Sequence, residues 1–72
     1  MPQLASNPKG ETALVFAEIK QMGDRYFKQI GLIKKDKKGR LTKTYISNTD
    51  FDCSYPAITW GGHSWLIAFE GV

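Results

Sequence analysis

Residues 25–43, RYFKQIGLIKKDKKGRLTK, restrict the fold of this chain more than any other stretch. The first part, residues 25–35, alternates between two sets of side chains, as a β-strand does. Asp36 and Gly39 then enclose two lysines, which fits a four-residue loop built on a type I turn. A second run of strand-forming residues follows. The stretch therefore predicts a β-hairpin and, with it, an antiparallel sheet.

The loop length fixes which side chains share a face of this hairpin. A four-residue loop places Lys35 opposite Arg40, and the strands then pair in steps of two from that point. One face, predicted to be the core face, carries Ile30, Leu32, Leu41 and Tyr45. The other face, predicted to be a binding surface, carries Phe27, Gln29, Gly31, Ile33, Thr42 and Thr44.

Three further segments are predicted to be strands. Residues 12–22 begin with an uninterrupted apolar run and then alternate, so a strand is favoured over a helix that would end at Gly23. Gly23 and Asp24 fit a two-residue type II′ turn. Pro56 introduces a short edge strand over residues 57–60, because proline cannot donate into a ladder. After the Gly61-Gly62 turn, residues 63–69 alternate and direct Trp65, Ile67 and Phe69 to the core.

These segments predict a mainly β fold, a small antiparallel meander of about five strands. It would form a partly open barrel, OB-like or SH3-like, or a twisted sheet, with one helical turn near Ser47 as an option. Residues 1–11 contain two prolines and no apolar period, which predicts a flexible N-terminal arm, and residues 12–72 form a single small β domain. A 72-residue domain is close to the lower size limit for a self-sufficient core. Association is therefore expected, as a homodimer or with another macromolecule, and a self-sufficient monomer is the alternative.

The residues that carry chemistry are few. With one cysteine, Cys53, and one histidine, His63, the chain cannot form an internal disulfide or close a zinc site without two carboxylates. Asp50 and Asp52 alone make a weak site for a divalent cation. No oxyanion motif accompanies Cys53 and His63, so no enzyme activity, metal or cofactor is predicted. A single thiol, no signal-peptide pattern and no membrane-length apolar run indicate a cytoplasmic protein without membrane contact.

Positive charge is concentrated in residues 25–43, which hold eight of the ten basic residues and one acid, whereas residues 45–72 contain no lysine or arginine. Such a cluster attracts phosphate backbones, and nearby rings can stack on bases. The sequence therefore predicts a nucleic-acid-binding domain, directed to single strands or to the backbone. The candidate site residues are Lys28, Lys34, Lys35, Lys37, Lys38, Arg40 and Lys43 for phosphates and Tyr26, Phe27, Tyr45 and Trp60 for stacking.

Two other interpretations of the same lysines are open. The hairpin could dock on an acidic surface of another protein, as a small inhibitor or adaptor would. Lysines in a hairpin tip also serve to keep it solvated and to prevent edge-to-edge pairing.

In length, basic meander and aromatic-rich C-terminal part, the chain resembles small accessory proteins encoded by phages and mobile elements. This resemblance is one of size and style, and it assigns no role to any residue. It implies an expected location in the cytoplasm of a host cell.

Overall fold

The computed structural model describes residues 2–47 and 53–71 and contains six strands in that part of the chain. They are β1 (Gln3–Ser6), β2 (Thr12–Met22), β3 (Arg25–Lys35), β4 (Leu41–Tyr45), β5 (Cys53–Trp60) and β6 (Trp65–Gly71). Strands β1 to β4 form an antiparallel sheet in sequence order, and β5 and β6 form a second, two-stranded sheet. The mainly β prediction is confirmed. The strands do not close into a barrel, so the twisted-sheet alternative is the appropriate description.

The central hairpin, β2–β3, follows the sequence prediction closely. Residues 12–22 form a strand, and no helix occurs in the described ranges. Met22 pairs with Arg25 across the two-residue turn. Gly23 has a φ of 60°, whereas Asp24 does not adopt positive φ, as the predicted type II′ turn requires.

The first strand corrects the prediction of an N-terminal arm. Residues 3–6 pair with β2, with Leu4 opposite Leu14 and Ala5 opposite Ala13. A four-residue strand is too short to show an apolar period, which is why the sequence did not reveal it.

The core lies between the two sheets. Ala13, Val15 and Leu32 form a buried cluster, and partly buried residues of the β5–β6 hairpin pack on it, namely Ile58, Trp65 and Ile67. Ile30 is completely buried on the same face of β3. The predicted inward direction of Trp65 and Ile67 is confirmed, but Phe69 is exposed.

The β3–β4 hairpin differs from the prediction by one residue in register. Lys35 pairs with Leu41 and Gly31 with Tyr45, because Asp36 and Arg40 already pair and leave a three-residue loop. Gly39, with a φ of 89°, closes that loop as glycine does in a three-residue hairpin loop.

This shift exchanges the two faces of β4. Leu41 and Tyr45 lie on the sheet face opposite to Ile30, and Leu41 is 64% exposed, so their assignment to the core was wrong. Thr42 and Thr44 lie instead on the face of Leu32. The predicted binding surface is therefore not formed as expected, and Phe27, which belonged to it, is 6% exposed.

Strand β5 is longer than predicted because a bulge accommodates its proline. The pairing with β6 shifts between Ser54 and Ala57, and Tyr55 adopts a φ of 54° there. A bulge leaves Pro56 outside the regular ladder, so the strand continues on both sides of it. At the other end of the hairpin His63 lies in the turn, since β6 begins at Trp65.

Gly31 leaves room for the ring of Phe16 on the outer face of the four-stranded sheet, which is the face that points away from β5 and β6. A Cβ atom at this position would lie 2.7 Å from Cε2 and 3.0 Å from Cε1 of Phe16, its cross-strand partner. We expect Gly31→Ala to lower the free energy of unfolding by about 1–2 kcal/mol, because the ring must move, and urea denaturation measures this. In the control Gly71→Ala, the new Cβ would meet Cys53 Sγ at an ordinary 3.8 Å, and the change should stay within about 0.5 kcal/mol. Equal stability of both variants with the unmodified protein would contradict this account.

Candidate functional site

Three turns lie together at one end of the molecule, which we call the turn end. The β1–β2 turn (residues 7–11) and the β3–β4 turn (residues 36–40) leave the four-stranded sheet on the same side, because alternate strands run in the same direction. A Cβ atom built on Gly10 would lie 3.5 Å from Lys37 Cβ, so the two turns touch. The β5–β6 turn (residues 61–64) joins them, since Lys9 Nζ lies 5.7 Å from the centroid of the Trp60 ring.

The first two of these turns share one architecture. Each begins with a residue whose side-chain oxygen accepts two backbone N–H groups: Asn7 accepts from Lys9 at 3.1 Å and Glu11 at 3.0 Å. Asp36 accepts from Lys38 and Arg40, both at 2.9 Å.

Each of these turns also has glycine at its fourth position. Gly10 and Gly39 have φ values of 84° and 89°, where a side chain would be strained. The sequences NPKGE and DKKGR are thus two copies of one rigid turn, placed side by side.

These turns and the end of β3 bring six exposed cations together. We call them the tip cations: Lys9, Lys34, Lys35, Lys37, Lys38 and Arg40. Two carboxylates lie among them. Asp36 is engaged by backbone N–H groups, and Glu11 accepts a 2.7 Å hydrogen bond from Asn7 Nδ2. Within the described ranges no tip cation forms an ion pair with a carboxylate, so the charge of the cluster is not neutralised pairwise.

Two tryptophans border the tip cations. Trp60 and Trp65 pair across the β5–β6 hairpin, with ring centroids 4.9 Å apart and an interplanar angle of 69°. Trp65 lines a groove of about 190 Å³ with Lys34, Lys35 and Arg40, and the carboxylates of Glu11 and Asp36 also line it. A second groove, of about 350 Å³, lies between the turns and is lined by Lys9, Lys37, Lys38 and Arg40, together with Glu11 and Asp36.

Only some of the sequence-predicted site residues lie at the turn end. Lys34, Lys35, Lys37, Lys38, Arg40 and Trp60 lie together at the turn end. Tyr26 and Lys28 lie in the opposite half of β3, paired with Gln21 and Ile19. The ring of Phe27 is buried and is not presented for stacking.

Tyr45 and Lys43 belong to a separate network on the outer face of the four-stranded sheet. The Tyr45 hydroxyl donates a 2.7 Å hydrogen bond to Glu18 Oε2, and Lys43 Nζ lies 3.7 Å from the same oxygen. Lys20 Nζ lies 4.6 Å from the centroid of the Tyr45 ring. The hydrogen bond from Tyr45, followed by the charges of Lys43 and Lys20, lowers the pKa of Glu18. The side-chain hydrogen bond with the Tyr45 hydroxyl and, to a smaller extent, the negative charge of Glu18 raise the pKa of Lys43. The charges and hydrogen-bonding groups of this network are therefore paired with one another, and the network lies away from the tip cations.

Lys9 is a site residue that the sequence did not predict, and Trp65, predicted to lie in the core, also borders the tip cations. Lys9 lies in the segment predicted to be an arm, outside the basic stretch of residues 25–43. A signal was present: NPKGE and DKKGR have the same spacing of an Asn or Asp, a lysine and a glycine. The sequence offers no comparable signal for Trp65, because its approach to the lysines depends on how the two sheets pack.

The remaining candidate groups do not assemble into a reactive site in the described residues. Cys53 is buried and pairs with Gly71 at one end of the β5–β6 hairpin, whereas His63 lies in the turn at the other end. No three His, Cys, Asp or Glu side chains of the described ranges lie close enough to hold a metal ion. Asp50 and Asp52, a weak candidate site for a cation, lie outside these ranges. The helical turn that the sequence allows near Ser47 lies partly outside them.

Comparison with protein-family models, with curated proteins and with solved structures finds no match to this chain. In residues 2–47 and 53–71, no helix has the length and apolar character needed to cross a membrane.

Proposed function

We propose that the protein is a non-enzymatic nucleic-acid-binding domain that holds the phosphate backbone at its turn end. One observation carries this proposal: three turns converge and bring six cations, none of them in an ion pair with a described carboxylate, next to two tryptophans. Clustered lysines and arginines bind phosphates by releasing condensed counterions. Neighbouring aromatic rings are the usual complement in proteins that bind single strands.

The rigidity of the two turns supports the same proposal. The side chains of Asn7 and Asp36 accept hydrogen bonds from the backbone N–H groups of Lys9 and Lys38 and so fix the backbone there. Cations on a fixed backbone lose less conformational entropy on binding than cations on a mobile loop, which favours a binding role over a purely solubilising one.

The test is a titration of labelled oligonucleotides at several salt concentrations. If all six tip cations contact phosphates, the binding constant will fall roughly 300- to 2,000-fold between 50 and 200 mM monovalent salt. A matched neutral oligomer with a peptide-like backbone controls for binding through the bases alone. No binding of any oligonucleotide at 50 mM salt overturns the proposal.

An acidic surface of another protein is the competing partner, and a charge-driven contact of that kind is also weakened by salt. The oligonucleotide titration separates the two partners. A stoichiometric protein partner together with no oligonucleotide binding would replace the first proposal by the second. Size-exclusion chromatography with and without oligonucleotide also reports whether the protein is a homodimer, which stays a prediction.

A further inference from the structure

Trp65 connects the core to the tip cations. One part of its half-buried side chain packs on the cluster of Ala13, Val15 and Leu32. Another part lines the smaller groove with Lys34, Lys35 and Arg40. The two carboxylates that also line this groove, Glu11 and Asp36, accept hydrogen bonds within their own turns. An indole held in this way is rigid, and its position relative to the cations is set by the packing of the two sheets.

Trp60 has a different position. Its ring is held at 69° to that of Trp65 and has Lys9 Nζ 5.7 Å from its centroid. Two rings at this angle cannot lie parallel to the same base. Trp60 does not line the smaller groove, which Trp65 lines with Lys34, Lys35 and Arg40. It therefore supports the Trp65 ring from the side.

We infer that the smaller groove binds one unstacked nucleotide of a single-stranded nucleic acid. Its base would lie on the Trp65 indole and its phosphate against Arg40, Lys34 and Lys35. The inference rests on the proposed function and names its substrate. A groove of about 190 Å³ can enclose at most a single base, so a double helix would contact the surrounding cations without entering it. In a duplex both faces of each base are covered by neighbouring bases, whereas a single strand can place a base against a protein ring.

The first experiment compares three ligands of equal length on the unmodified protein: oligo(dT), an abasic oligomer with the same phosphates, and a DNA duplex. The abasic oligomer should bind at least about 5-fold more weakly than oligo(dT), since stacking on an aromatic ring contributes that much per base. The duplex should also bind more weakly than oligo(dT). Equal affinity for all three would overturn the inference and leave the proposed function intact, because the phosphates alone would account for binding.

The second experiment assigns the stacking ring. In Trp60→Phe, Trp65 is the sole tryptophan, and saturation with oligo(dT) should quench most of its fluorescence. In the matched variant Trp65→Phe, the remaining Trp60 should be quenched much less. Both substitutions keep an aromatic ring in the hairpin, and circular dichroism checks the fold. Quenching confined to Trp60 would overturn the assignment to Trp65, whereas no binding by any oligonucleotide would overturn the proposed function itself.

Discussion

Replacing both Lys37 and Lys38 by glutamine will weaken oligonucleotide binding about 25- to 60-fold at 0.1 M salt, because removing one cation that binds a phosphate weakens binding roughly 5- to 8-fold at this concentration. The two side chains project from the β3–β4 turn and line the larger groove. The backbone N–H of residue 38 still donates to Asp36, so the turn is retained. The slope of log K against log salt should also decrease by about 1.4–1.8.

The matched control removes two cations far from the turn end. Arg25 and Lys28 lie in the opposite half of β3, and Arg25→Gln/Lys28→Gln changes the net charge by the same amount. We expect this pair to alter the affinity much less and the salt slope hardly at all. If the two double variants were equally weakened, total charge and not the turn end would determine binding.

A substitution in the opposite direction tests the same site. Asn7 shows that an amide oxygen can accept the two N–H groups of this turn. Asp36→Asn therefore keeps the architecture and removes one negative charge from the midst of the tip cations. Its binding should be tighter, by no more than the roughly 5- to 8-fold that one cation contributes.

Ile30→Ala will remove a large part of the protein's stability at 25 °C. The Ile30 side chain is 0% exposed, and truncation of such a residue to alanine costs about 2–5 kcal/mol. A domain of this size has a total stability of about 3–5 kcal/mol. Urea or thermal denaturation followed by circular dichroism measures the loss.

Ile19→Ala is the control, since it makes the same chemical change on the same sheet face. Ile19 is 66% exposed, and its truncation should change the free energy of unfolding by less than about 0.5 kcal/mol. A small effect of Ile30→Ala, comparable to that of Ile19→Ala, would show that the buried face of β3 is not the source of stability.

Local patterns in the sequence predicted most of the strands but not how they face one another. Residues 12–35 were predicted correctly because alternation and a Gly-Asp turn both act over short distances. The face assignment of Leu41 and Tyr45 failed because it depended on a single residue of loop length. A shift of one residue inverts every side chain of a strand, and both loop lengths are compatible with DKKG.

The position of the site was only partly predictable for a related reason. The lysines of the β3–β4 turn are neighbours in sequence, so their proximity was evident. Trp65 lies 25 residues or more beyond them, and its approach to Arg40 requires the β5–β6 hairpin to cover the four-stranded sheet. Tyr26 and Tyr45 are near the lysines in sequence, which predicts them as stacking partners, but the sheet places them away from the turn end.

The duplicated turn also affects how such a protein can change over time. Residues 7–11 and 36–40 have the same backbone conformation. The second and third residues of each segment can therefore vary, or be exchanged between the segments, without disturbing the strands on either side. Positions 8, 9, 37 and 38 are therefore places where selection, or a protein engineer, can adjust the strength of binding in small steps while the scaffold stays the same.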